Sequence, residues 1–284
     1  MGGLTADSRA RQAPRPIPEN LRYLCSFYPS ISHVCRKLGL APGQTVVEAG
    51  CGWGSLALHM ARHHGVRVKA YNICHQQILL ARERAKAEGL DGRVEFIEDD
   101  YRNVAGRFDA FVSVGMLEHV GPEHYRELGG VIDRCLTPSG RGLIHSIGRN
   151  RPVRPNSWIV ARIFPGGYTP TLREMADIFE PWSFSVLDVE NLRLHYAFTL
   201  RHWLDRFEAH EEQVRRMFDE TFVRMWRLYL ASSLAAFTTG WMQLFQIVFA
   251  RSMNNDLPLT RPALRPAARS ARNPERRTRG HGQV

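Results

Sequence analysis

An acidic residue two positions ahead of a glycine-rich turn is where this sequence first offers chemistry: Val46-Val47-Glu48-Ala49-Gly50-Cys51-Gly52-Trp53-Gly54. Glycines let backbone come close to a ligand, and the unpaired N–H groups at a following helix start attract its polar atoms. A turn of this kind fits a dinucleotide as well as another nucleoside cofactor. Two details favour S-adenosylmethionine. Glu48 stands where it can meet a positively charged amine rather than a pyrophosphate. Tyr71-Asn72-Ile73, closing the second apolar run, also lacks the acid expected to grip an NAD ribose. Further on, Glu118-His119, His145 and Tyr196 supply a carboxylate, imidazoles and a phenol, groups that hold an anion or move a proton. Singly, these read equally well as a capping pair, a hydrogen-bonded core histidine and a packed ring.

The elements that must position these groups alternate. Thr45–Ala49 reads as a short apolar strand, and 53–64 as an apolar-periodic helix. Strand 66–73, helix 75–88, strands 93–97 and Phe108–Val114, helix 122–136 and strand 142–147 follow. This order predicts an α/β fold with a doubly wound parallel sheet, right-handed crossovers and ligands at the carboxyl ends of the strands. After Ile147 the rhythm breaks, and 149–182 reads as a lid insertion containing the turn-rich FPGGYTP loop. Strand character returns over 183–192, one long helical stretch over 196–237, and a final strand over 242–250. Trp241, Phe245 and Phe249, four apart, should pack one face of that last run.

Several of these stretches together resemble the cyclopropane fatty acid synthase family of S-adenosylmethionine-dependent enzymes. They are VVEAGCGWGSLALHMA (46–61), NICHQQ (72–77), EDDYRNVAGRFDAFVSVGMLEHVGPEHY (98–125), LIHSIG (143–148), IFPGGYTP (163–170), LHYAFTL (194–200) and LYLASSLAAFTTGWMQLFQIVFAR (228–251). The resemblance implies a class I methyltransferase fold, Rossmann-like, with a final antiparallel strand. It places Gly50, Cys51 and Gly52 around the methionine part of S-adenosylmethionine, Asn72, Ile73 and Gln77 at the ribose, and Asp100 and Tyr101 beside the adenine. It places Glu118, His145, the backbone of Ile147 and Tyr196 around a bicarbonate ion near the transferred methyl.

The implied reaction adds a methyl or methylene carbon to the double bond of an unsaturated fatty acyl chain, as in a phospholipid. A cis double bond is a poor nucleophile, and its attack leaves a carbocation-like centre that a base must deprotonate to close a ring. A held small anion is a fitting base, since a mobile side-chain carboxylate risks alkylation. Two other readings stand beside it: a methyltransferase of a small amine or specialised metabolite, and a non-catalytic lipid-binding relative. Trp203, Phe207, Phe218, Phe222, Trp226 and Tyr229 read as mostly core on one long helix, with some lining an acyl tunnel. The sequence departs from the family ahead of Thr45, where only NLRYLCSFY (20–28), through Tyr23 and Cys25, echoes a family stretch, and an acyl-binding lid there is expected to be missing or rebuilt. Ser233 replaces a frequent cysteine.

Composition bounds the rest. The chain has 284 residues, 44% hydrophobic and 23% charged, ordinary for a globular domain. Its longest apolar stretches carry serine and are too short to span a bilayer. The five cysteines show no CxxC pair, so neither a disulfide scaffold nor a metal site is expected, and a reducing compartment is. The first residues lack the basic-then-apolar order of a secretory signal, so none is expected there. The formal charge of +10 is uneven: 261–284 holds seven Arg and one Glu, net +6, leaving +4 for 1–260. The organisation expected is a flexible 1–19, a methyltransferase domain over 20–260 and a disordered basic tail over 261–284. The tail points to peripheral contact with an anionic membrane from the cytoplasmic side, and without interleaved aromatics it does not point to nucleic acid. A homodimer is compatible with this reading.

Overall fold

The computed structural model describes residues 28–257. The expected flexible 1–19, the Tyr23 and Cys25 echo and the basic 261–284 lie outside the described residues.

Helix α1 (Tyr28–Leu38) precedes the alternating part: β1 (Thr45–Ala49), α2 (Ser55–His64), β2 (Arg67–Asn72), α3 (His75–Ala87), β3 (Val94–Glu98), β4 (Phe108–Val114), α4 (Leu117–Val120), α5 (Tyr125–Cys135) and β5 (Leu136–Gly148). Then come α6 (Ser157–Arg162), α7 (Leu172–Met175), β6 (Phe184–Asn191), α8 (Arg193–Ala209), α9 (Glu211–Met217), α10 (Glu220–Thr238) and β7 (Gln243–Arg251). The seven strands form one sheet in the order β3-β2-β1-β4-β5-β7-β6. β1 to β5 pair in parallel, and β7 runs antiparallel to both β5 and β6. The doubly wound sheet and its antiparallel last strand are as expected.

Both sheet faces are covered, which explains why β1 and β7 read as apolar runs rather than as alternations. One core packs Leu58, Met60 and Ile78 against Val68, Val112 and Val248. The other packs Leu128 and Ile132 of α5 against Phe111 and Phe249. A third cluster, with Leu200, Val223 and Phe237, joins α8 and α10 with Val214 of α9 and Leu244 of β7. Burying about twenty such side chains per core supplies most of the folding drive, at roughly 1.5–3 kcal/mol each before entropy.

Helix α1 is tied to β6. The nearly unexposed Lys37 reaches Glu190 Oε2 at 2.6 Å, and His33 Nε2 reaches the same atom at 2.6 Å. Against the upward pull of burial, these two hydrogen bonds hold the Glu190 carboxyl down at about 2.

Four features differ from the sequence reading. The stretch over 196–237 is three helices, with breaks at His210 and at Asp219, which starts the last helix by accepting the Phe222 N–H at 2.6 Å. Phe218 therefore lies at the break, exposed, stacked on Phe222, which stacks on Trp226. Trp241 precedes β7 instead of joining it and is 48% exposed, while Phe245 and Phe249 share one buried face as expected. Within 149–182, Met175, Ile178 and Phe179 belong to the second core, so this half of the insertion is packed structure rather than lid. Last, Cys35 meets His59 and His64, their donor atoms within 4.8 Å of one another, a grouping that spacing alone does not reveal. Burial keeps this group uncharged, pushing the Cys35 thiol up to about 12 and His59 down to about 4.

Candidate active site

The glycine turn hangs from the end of β2: the Gly50 and Cys51 N–H groups both donate to the Tyr71 carbonyl at 3.0 Å. Gly52 has φ +53°, and a Cβ built there would meet nothing within 4 Å, so this glycine borders open space. Gly54 serves packing instead, since a Cβ there would come within 2.6 Å of the Phe96 ring. Glu48 is enclosed beside the first turn of α2, where the Ala57 N–H bonds its carboxyl, and its Oε2 is buried without a hydrogen-bond partner. Burial pushes it up to about 8, so it is largely protonated at neutral pH until a cation arrives. The expectation that Glu48 lies open to a ligand amine is thus modified: the acid is internal, with one oxygen unspent.

Asn72 joins the turn to α3, its Nδ2 donating to Gln77 Oε1 at 2.6 Å and to the Gly52 carbonyl at 3.3 Å. The structure brings Gly52, Asn72 and Gln77 together. Ile73, beyond β2, is 75% exposed, leaving an apolar face at the rim of this end of the sheet. Asp100 is committed to its neighbour: Arg102 donates to its two oxygens at 2.9 and 2.7 Å and holds the carboxyl below its ordinary value. Tyr101, next to it, is half-buried against the second core, and burial first, then Glu127, pushes its phenol up to about 12. Together, an unpaired buried carboxylate oxygen, a glycine facing open space and an adjoining amide pair suit the amine, chain and ribose of S-adenosylmethionine.

The second half of the site sits at the ends of β4 and β5. Gly115 N–H donates to the His145 carbonyl at 2.9 Å, and α4 then presents Glu118. Glu118 Oε1 accepts the Ile147 N–H at 2.6 Å, while Oε2 is buried and makes no hydrogen bond. Burial raises the Glu118 carboxyl to about 7, its own N–H, that of Ile147 and the Ser146 hydroxyl pulling the other way. The Ile147 N–H expected to face an anion is therefore spent on Glu118. His145, two residues earlier on the same strand face, is buried, and burial first, then Lys37 and His33, depresses it to about 4. Its ring is neutral, and Nδ1 lies 2.9 Å from Gln246 Nε2 on β7. An amide nitrogen of Gln246 turned to Nδ1 puts the ring proton on Nε2, and the amide turned the other way puts it on Nδ1. Tyr196, in the first turn of α8, packs on Phe237 and Trp203 in the cluster that also holds Ile147.

Two participants have no signal in the sequence spacing. Gln246 finds His145 only through the register of β5 with β7. The FPGGYTP loop docks over α4, the Tyr168 N–H donating to the Glu118 carbonyl at 2.8 Å and Phe164 lying edge-on to both His119 and Tyr229.

A family model described as mycolic acid cyclopropane synthetase matches residues 28–247. The cyclopropane-fatty-acyl-phospholipid synthase of Escherichia coli strain K12 is 40% identical over 259 residues, covering 87% of this chain and 66% of that protein. A probable fatty acid methyltransferase of Pseudomonas putida is 34% identical over 268 residues, covering 86% of this chain and 68% of its own. Among solved structures, the mycolic acid cyclopropane synthase CmaA1 in complex with SAH and CTAB superposes with a TM-score of 0.73 at 25% identity, over 78% of this chain and 83% of that one. The cyclopropane synthase MmaA2 from Mycobacterium tuberculosis gives 0.75 at 23% identity, over 79% and 84%.

Proposed function

The chain belongs to the mycolic acid cyclopropane synthetase family, with its Rossmann-like class I methyltransferase fold, and from that premise we propose that it transfers a one-carbon unit from S-adenosylmethionine to the double bond of an unsaturated phospholipid acyl chain. The product is a cyclopropane, or a methyl-branched chain that keeps a double bond. The observation that carries this reading is the buried Glu118, raised to about 7 and bonded to the Ile147 N–H two residues past the neutral His145, one strand away from the glycine turn.

S-adenosylmethionine supplies an electrophilic methyl on a positive sulfur. The chain's own residues do the rest. Glu48 offers the amine a buried oxygen, Gly52 leaves room for close approach, and Asn72 and Gln77 present hydrogen-bonding groups at the ribose. The alkene would take that methyl, one carbon–carbon bond forming as the sulfur–methyl bond breaks. Loss of one proton from the former methyl then closes a three-membered ring. Glu118, His145 and Tyr196 are the groups that would hold a bicarbonate ion as the proton acceptor, with His145 Nε2–H as donor and Glu118 oriented by Ile147. Preorganised donors at the buried Glu118 and His145 would lower the barrier without reorganising.

Among the described residues no helix is long and apolar enough to cross a membrane, and the net +6 of residues 261–284, seven Arg against one Glu, supports peripheral contact with an anionic leaflet. The test is incubation with labelled methyl donor and either unsaturated phospholipid vesicles or a lipid-free metabolite extract. Mass spectrometry should show the phospholipid pool gaining one CH₂ unit. A gain confined to the metabolite extract would replace this reading with a small-acceptor methyltransferase.

A further inference from the structure

Just past β5 the chain builds a small basic cavity that the reaction does not use. Arg149 is pinned by its N–H, which donates to the Pro170 carbonyl at 2.9 Å. Its guanidinium carbon lies 5.8 Å from the centre of the Trp241 ring, and that of Arg151 lies 5.6 Å from the same point. The space between them, about 210 Å³, is lined by Arg149, Asn150, Arg151, Val153, Gly240 and Trp241. Among the described residues no carboxylate lines it, while Glu174 and Asp177 line a second pocket that Arg149 also borders. Arg149 Nε is fully covered and makes no hydrogen bond. A covered guanidinium N–H without an acceptor is costly, and two cations on one ring repel each other, so both costs are relieved by an anion.

Position supplies the rest. Gly148 and Ile147 oppose Gln243 and Leu244 in the β5–β7 register, so Trp241 and Arg149 sit at the same carboxyl end of β5 as His145 and Ile147. Four residue steps along extended chain separate His145 from Arg149, about 13 Å. A lipid held by its phosphate at this cavity can send an acyl chain back along the end of β5 toward Glu118 and His145.

We propose that Arg149 and Arg151 form the phosphate subsite for the lipid head group, with the Trp241 face packing its glycerol stem. This rests on the phospholipid reading above. Arginine suits the task, since its planar fork meets two phosphate oxygens at once. The subsite makes the enzyme discriminate a phospholipid from the same acyl chains without phosphate.

The experiment uses the full chain with an unsaturated phosphatidylglycerol, or the matching diacylglycerol, dispersed in a neutral detergent so that no anionic surface is present. Arg151→Ala and Arg149→Gln should each raise KM for phosphatidylglycerol about tenfold or more, the worth of one charge-assisted hydrogen bond. Both should keep the KM for diacylglycerol and the calorimetric affinity for S-adenosylmethionine. Arg154→Ala, which removes the same charge from the same loop outside the cavity, should leave both KM values unchanged. Inorganic phosphate should compete with phosphatidylglycerol in the parent and lose that effect in Arg151→Ala. If all three variants raise KM alike, the effect is general electrostatics and the subsite is wrong. If Arg151→Ala and Arg149→Gln match the parent on phosphatidylglycerol, the subsite is equally wrong. A parent inactive on both lipids would instead sink the phospholipid reading itself.

Discussion

Glu118 Oε1 lies 2.6 Å from the Ile147 nitrogen, so one hydrogen bond ties the helix after β4 to the end of β5 across the site. Glutamine at 118 keeps the shape and can still accept that N–H, but it cannot ionise. Glu118→Gln should therefore bind S-adenosylmethionine normally by calorimetry while turnover falls on the order of 10²-fold or more. Because burial raises the Glu118 carboxyl to about 7, turnover of the parent should climb as pH rises through that value. The climb should vanish in the variant. Turnover within a factor of two of the parent would make Glu118 a structural residue.

Gln246 is the partner that fixes His145. It is fully buried, and its Nε2 lies 2.9 Å from His145 Nδ1. Gln246→Leu preserves volume but frees the ring to exchange tautomers and leaves Nδ1 unpaired, at a cost of roughly 1–3 kcal/mol in stability. Turnover should drop about tenfold through loss of the correct tautomer, with cofactor affinity unchanged. Gln246→Glu, which can accept a proton from Nδ1–H, should select the opposite tautomer and lose turnover without the same loss of stability. Full turnover in both variants would remove Gln246 from the mechanism.

Gly52 tests the cofactor turn. A Cβ at this position would point into open space, so the apo fold has room for it, although φ +53° strains any branched residue. Gly52→Val should fold with a modest loss in melting temperature and lose calorimetric binding of S-adenosylmethionine. Unchanged affinity would move the methionine site away from the turn.

The parallel strands and the glycine turn were legible because strand length, period and turn chemistry agree there: β1 and β4 fall where the apolar runs do. The broken helix was not. Residues on both sides of Asp219 are good helix formers, so the cap that restarts α10 hides inside an unbroken pattern. Trp241 was misplaced because spacing of four puts it in phase with Phe245 and Phe249, and phase says nothing about where pairing stops. In the site, Glu118 and His145 were legible as residue types in a resemblance. The Glu118–Ile147 bond and the Gln246 partner were not, since both depend on register between segments far apart in the chain.

Four buried groups with shifts inside the window, His59, His145, Glu48 and Glu118, predict the shape of the stability curve between pH 4 and 8. His59 and His145 are depressed to about 4 from 6.5. Between those values the unfolded chain binds protons that the native one does not, so their contribution is full above 6.5 and is lost as pH falls toward 4. Glu48 and Glu118 act oppositely, raised from 4.5 to about 8 and about 7. The native state holds their protons where the unfolded state has released them, so this contribution is full below 4.5 and declines as pH rises through 7 to 8. Over 4.5 to 6.5 the two pairs oppose each other, so stability should change less there than on either side, where it should fall. Each group carries up to about 1.4 kcal/mol per pH unit within its window. Scanning calorimetry from pH 4 to 8 checks the curve. Glu48→Gln should remove part of the alkaline decline, and saturating S-adenosylmethionine should do the same in the parent, because its ammonium favours the ionised Glu48. An alkaline decline unmoved by both changes would mean that Glu48 neither holds its proton in the fold nor meets the cofactor.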